Sequence, residues 1–197
     1  MAAPTRDPDK SRERILAAAL HEFAKRGFAG ARVDVIAKRA KINKRMLYHY
    51  YEDKEGLFRA VLRHKIRERT GRAEQMTATE PSELVYWFNQ NCHDMDWVRL
   101  LAWESLGQSE QGEVVEAKWR RQVTLDFINK FKRLQGAGKL RADVEARYLM
   151  LARASLATYP IALPHITKMI TGQLPDAAIF QKQYSQFLEK FSSAFRP

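Results

Sequence analysis

The 197-residue chain has a single cysteine, Cys92. One thiol makes an intrachain disulfide and a cysteine-built metal cluster impossible. Cys92 reads as a small packed thiol, with redox sensing as the alternative. Long apolar runs are also missing. None approaches the ~18 to 20 residues that a membrane span needs, and the opening MAAPTRDPDKSRER lacks a hydrophobic signal-peptide core. The expectation is a cytoplasmic protein with no membrane partner.

Catalytic patterns are equally scarce. The sequence has no histidine pair at i and i+4, no Gly-rich phosphate loop and no G-x-S-x-G nucleophile turn. We therefore expect no enzyme, no metal and no cofactor. Acidic residues fall short of basic ones, 23 against 34, for a formal net charge of +11. The shortfall is local. Residues 1–70 hold 18 Lys and Arg against 9 Asp and Glu, net +9, whereas residues 71–197 hold 16 against 14, net +2. An excess confined to one segment suits a phosphate-binding footprint, although anionic lipid or an acidic partner would attract it too.

What is present is helical periodicity. No segment shows sustained alternation, and between sparse Gly and Pro the apolar residues recur every three to four positions. The fold class is all-α. A first helix is expected over about 11–26, burying Ile15, Leu16, Ala19, Leu20, Phe23 and Ala24 and ended by Gly27, with a mobile polar arm over 1–10 before it. A second is expected over 33–40 (Val33, Ile36, Ala37 and Ala40 inward), a third from the N-cap Asn43 to about 51, and a fourth over about 54–70 behind the N-cap Asp53. Later helices are expected at about 82–92, 97–108, 112–135, 143–159, 161–171 and 176–194. The organisation predicted is an N-terminal three-helix DNA-binding domain with its arm, 1–53, and a helical effector-binding and dimerisation domain, 54–197.

Residues 33–51 have the arrangement of a helix-turn-helix: a buried helix, a short connection and a second helix with an open face. Lys44 and Arg45 follow the N-cap of that second helix. Cations there oppose the helix dipole at a cost of about 0.3 to 1 kcal/mol each, so stability does not explain them, whereas phosphates or guanine edges do. Four adjacent aromatics, Tyr48 to Tyr51, cannot share one face. Leu47 and Tyr51 fit the buried stripe, leaving Tyr48 to grip a phosphate, His49 near a base or phosphate, and Tyr50 at the border. The plainer alternative is a surface helix with solvated cations.

The stretch from Ile15 to Leu62, with A-L-x-x-F-A-x-x-G-F, then I-A-x-x-A, then L-Y-x-Y-Y-x-x-K-E-x-L-F, closely resembles the DNA-binding domain of the TetR family. The resemblance implies that the third helix is the recognition helix, with base or phosphate contacts from Lys44, Arg45, Met46, Tyr48 and His49. It implies backbone contacts from Tyr50 and Lys54. Three positions depart from the pattern: Ala31 for a capping Thr, Lys41 for Gly and Tyr51 for Phe. With the hydroxyl lost at Ala31, Arg32 becomes the candidate phosphate contact, and Lys41 calls for an altered backbone in the turn. Arg6, Lys10 and Arg12 could reach a minor groove, or belong to a solubilising tail.

Aromatics are dense in the C-terminal part, where pockets between helices are commonly lined by such side chains. Trp87, Asn91, Trp103, Glu104, Phe127 and Tyr159 are the candidate contacts for an unidentified small-molecule effector, and His93 is a further polar candidate. A simple core would use the same residues. Phe180, Tyr184, Phe187, Leu188, Phe191 and Phe195 form a broad stripe on the last helix. The resemblance implies that this helix and the stretch around 148–156 pair with their copies in a four-helix homodimer bundle, ordinary intrachain packing being the alternative. The function expected is a ligand-responsive regulator, in the repressing sense, binding a palindromic operator on double-stranded DNA. The rival is an architectural protein that coats DNA without sequence preference and takes no effector.

Overall fold

The computed structural model describes residues 8–74, 82–107, 114 and 116–194. Among them it shows ten helices and no strand: α1 (Pro8–Gly30), α2 (Val33–Ala40), α3 (Lys44–Tyr51), α4 (Lys54–Glu74), α5 (Ser82–His93), α6 (Met95–Gly107), α7 (Ala117–Gly136), α8 (Ala146–Ala162), α9 (Pro164–Thr171) and α10 (Ala178–Ser193). No helix among the described residues is long and apolar enough to cross a membrane. The chain forms two compact units, residues 1–70 with 99–116, and residues 71–98 with 117–197.

The first unit is built on the apolar stripe of α1. Ile15, Ala18, Ala19, Phe23 and Ala24 are buried there, together with Ile36, Leu47, Leu57, Val61, Leu62 and Leu100. Leu16 and Leu20, expected inside, are only half-buried, and Ser11 and Glu22 take places on the inner side instead. Phe23, Phe28 and Phe58 close this core with ring centroids 5.0 Å apart for Phe23 and Phe58 and 5.2 Å for Phe28 and Phe58. Burying a ring such as Phe23 or a Leu side chain stabilises by about 1.5 to 3 kcal/mol.

Gly27 does not simply end the first helix. It sits at φ 68 and ψ 176 inside α1, and the chain bends there and turns helical again to Gly30. Only glycine takes that backbone readily. Trp103, from the same unit, lies against it: a Cβ at Gly27 would stand 2.9 Å from Trp103 Cε3, and the indole Nε1 donates to the Ala24 carbonyl at 3.1 Å.

The second unit packs α5 against α8 and α10. The buried Asn91 amide Nδ2 donates to the Ala157 carbonyl at 2.9 Å and to Thr158 Oγ1 at 3.3 Å. Buried Glu83 pairs with Arg153 at 3.3 Å and Lys130 at 3.9 Å, drawing α7 and α8 to the start of α5. Phe131, Leu140, Ala146 and Leu149 form a further buried cluster between α7 and α8. Burial pushes the Cys92 thiol up to about 11, so it stays protonated and unreactive near neutrality.

The break between α8 and α9 falls at Leu163, not at Pro160, which lies inside α8. A proline cannot donate to the carbonyl four residues back, which here belongs to Leu156. Tyr184 of α10 fills the vacancy, donating its hydroxyl to the Leu156 carbonyl at 3.0 Å. Elsewhere α4 runs past Gly71, and α7 starts at Ala117, later than the periodicity suggested.

Two substitutions separate the backbone demands of the first unit. Gly27→Ala is expected to lower stability by about 2 kcal/mol or more, from backbone strain and the clash with Trp103. Lys41→Gly, at a left-handed position with φ 56 and ψ 45, is expected to be neutral or stabilising by up to ~1 kcal/mol. Urea unfolding of both variants against the parent protein checks the contrast.

Candidate nucleic-acid interface

Helix α2 buries Val33, Ile36, Ala37 and Ala40, the residues its periodicity selects. It stops because Lys41 turns left-handed, which lets the Ile42 N–H donate to the Ala37 carbonyl at 3.1 Å. The altered backbone expected at Lys41 is therefore present. Asn43 then starts α3: its Oδ1 accepts the Arg45 N–H at 2.9 Å. This satisfies one of the free donors at the helix start.

α3 is anchored by Leu47, fully buried, and this one contact sets the direction of every neighbour. Lys44, Arg45, Tyr48 and His49 are exposed, while Met46, Tyr50 and Tyr51 are half-buried. The Lys44 ammonium stands 5.9 Å from the Tyr48 ring centroid, so a cation and a hydroxyl-bearing ring share one open patch. Tyr50 lies at the border as expected, with the Arg12 guanidinium 5.5 Å from its centroid. Burial pushes the Tyr51 hydroxyl pKa up, as befits an inward ring.

The flanking cations are more committed to the protein. Lys54 Nζ donates to the Ala29 carbonyl at 3.1 Å and lies 5.0 Å from the Phe28 centroid, so it ties the bend after Gly27 to the start of α4. Asp53 caps α4 as predicted, its Oδ1 accepting the Gly56 N–H at 2.6 Å. Arg32, not Ala31, is the N-cap residue of α2, and its side chain makes no cap. Ala31 is buried. Lys10 belongs to α1 instead of a mobile arm, and Arg12 lies in α1 as expected; Arg6, like Phe195, lies outside the described residues.

Two acids escaped the sequence reading. Glu22 is buried on the stripe of α1, where its Oε1 accepts the Arg32 N–H at 3.3 Å and pairs with Arg26 at 3.4 Å. An acid set among apolar residues at helical spacing was the available signal. Asp34, two residues after Arg32, receives that residue's guanidinium.

The six candidate effector residues divide between the units. Trp103 and Glu104 belong to the first and Trp87, Asn91, Phe127 and Tyr159 to the second. Trp103 has its indole on Ala24 and Gly27, and Asn91 donates to α8. Trp87 and Phe127 are half-buried and Tyr159 is exposed. Glu104 is buried. His93 is exposed, its Nδ1 2.6 Å from the Asn89 carbonyl oxygen. Among the described residues no group of three or more His, Cys, Asp or Glu could hold a metal.

The exposed residues of α3 generate two expectations for DNA binding. Tyr48→Ala is expected to weaken binding to any duplex. Lys44→Ala or Arg45→Ala is expected to cost roughly 1 to 3 kcal/mol on a preferred site and to relax sequence preference. Titrations on a preferred and a scrambled duplex read both effects, and three unaffected variants would remove α3 from the interface.

A family model described as bacterial regulatory proteins of the tetR family matches residues 15–61, which span α2 and α3 and end within α4. The HTH-type transcriptional repressor SCO4008 of Streptomyces coelicolor is 27% identical over 171 residues, covering 85% of this chain and 86% of its own. The crystal structure of SCO4942 from Streptomyces coelicolor, described as a transcriptional regulator, superposes with a TM-score of 0.77 at 25% identity, covering 95% of this chain and 99% of that one. A regulator structure from Saccharomonospora viridis in complex with choline shares the fold, with a TM-score of 0.61 at 17% identity over 94% and 96% of the two chains. The family model thus matches the stretch that holds α2 and α3, and over most of its length the chain is similar to a repressor and to a solved regulator, which makes it similar to the tetR family of bacterial regulatory proteins, DNA-binding regulators of transcription.

Proposed function

We propose that the protein is a ligand-responsive repressor that occupies a palindromic operator as a homodimer and leaves it when a small molecule binds. The observation that carries this reading is the open first turn of α3, where Lys44 and Arg45 point away from the core beside Tyr48. Cations at the positive pole of a helix are unfavourable until an anion or a base edge meets them. Residues 1–53 supply the DNA contacts in this reading. Residues 54–197 supply the effector and dimer contacts.

Pairing is supported by the surface of the second unit. On α8, Tyr148 and Leu151 are 55% and 62% exposed, and on α10, Ile179, Phe187 and Phe191 are open as well. Apolar faces of this kind on long helices call for a cover, and a second copy provides one while setting two recognition helices about 34 to 36 Å apart on the duplex. Effector contact is proposed at Trp87, Phe127 and Tyr159, with Asn91 as a polar neighbour. The choline bound by the regulator from Saccharomonospora viridis supports a small-molecule effector in general, not choline in particular. Release needs only about 1 to 3 kcal/mol of coupling, for which α4 is the proposed lever. The site of action is the cytoplasm.

Selection of binding sites from a random duplex pool at physiological salt, followed by stoichiometry on the selected duplex, tests the proposal. A palindromic consensus bound by an even number of chains is expected. Binding with steep salt dependence and no consensus would favour an architectural protein instead.

A further inference from the structure

Asp34 is an acid among bases on the reading face. It lies in the first turn of α2, and its carboxylate accepts from Arg32 Nε at 3.3 Å and from Arg32 Nη2 at 3.1 Å. Those hydrogen bonds from Arg32, helped by the charges of Arg32 and Lys44, hold the Asp34 carboxyl below its usual range. The first turns of α2 and α3 therefore share one electrostatic neighbourhood, with a carboxylate inside it.

Stability does not explain the arrangement. The two side chains are 68% and 53% exposed, and exposed ion pairs contribute little to folding. An acid does suit the start of α2, but that preference requires no guanidinium beside it. For gripping phosphates the carboxylate is a hindrance, since it offsets one cation and repels the DNA backbone.

What the pair does is fix a fork. Asp34 occupies the Nε and Nη2 edge of the guanidinium, leaving both Nη1 hydrogens and the second Nη2 hydrogen free. The Nη1 and Nη2 edge is a donor pair that matches N7 and O6 of guanine. A free arginine loses rotamer freedom when it makes that contact, and a pinned one has already lost it. The carboxylate can also accept from the N4 amine of a cytosine, which no phosphate offers.

We propose that Asp34 is a specificity-determining residue of the DNA interface: it holds Arg32 as a rigid fork for the guanine of a G·C pair and weakens the attraction of this face for phosphates in general. The inference rests on the operator-binding reading and makes Arg32 a base reader in place of a phosphate contact. Both side chains are exposed, so their substitutions leave the core of the unit untouched.

The test passes the parent protein, Asp34→Ala and Arg32→Ala through the same random-duplex selection. Each is then titrated over a salt series on the selected duplex and on a scrambled one. One G·C position in each half-site should lose its preference in both variants. Asp34→Ala should also bind scrambled duplex more tightly, with a salt slope steeper by about one, so that its ratio of selected to scrambled affinity falls roughly tenfold. If the parent protein selects no consensus, the operator reading itself fails. If the parent selects a consensus but Asp34→Ala keeps every base preference and the same ratio, this inference alone is overturned. It is overturned equally if Arg32→Ala flattens the salt slope with all preferences intact. Asp34→Asn, which keeps the shape and drops the charge, gives the same readouts should the alanine variant unfold.

Discussion

Lys44 and Arg45 stand in the first turn of α3, where the unpaired N–H groups of the helix start already make a partial positive charge. Around this unfavourable placement the first unit is organised. Asn43 satisfies the N–H of Arg45 with its own side chain, so the backbone of the turn is held without any anion from the protein. Leu47, fully buried one turn later, fixes the rotation of the helix and so keeps both cations outward. The remaining positive potential is available to a partner that carries negative charge.

Support for that turn comes from contacts made outside α3. The bend at Gly27, covered by Trp103, brings the chain round from α1. Buried Glu22 receives the N–H of Arg32 at the entrance to α2. Lys54 ties Ala29 to the start of α4. Each of these contacts uses a polar or charged group to fix backbone geometry, and together they position two short helices that could not persist in isolation.

Where signals are local, the sequence and the structure agree. The bounds of α2 and α3 follow from the inward residues of α2, the left-handed Lys41 and the Asn43 cap, all of which act within a few residues. Tertiary compensation is what a local reading misses. Pro160 reads as a break, yet α8 continues through it because Tyr184, far along the chain, donates to the carbonyl that the proline leaves open. Trp103 reads as a pocket aromatic because its type suits one, but only the fold reveals the glycine beneath it. The Arg32 and Asp34 pair is hidden for a different reason: two oppositely charged neighbours in a sequence look like a solvated surface until the guanidinium is seen to be held on one edge.

A second basic helix offers an alternative contact for DNA. Helix α7 carries Lys118, Arg120, Arg121, Lys130, Lys132 and Arg133 against a single acid, Asp126, and charge alone would recommend it as a phosphate track. Amide hydrogen exchange of the full chain, with and without the duplex obtained by selection, distinguishes the two surfaces. Protection gained at the starts of α2 and α3, with α7 unchanged, is the expected result. Protection gained along α7 while residues 32–50 exchange as before would contradict the assignment of the reading face to α2 and α3.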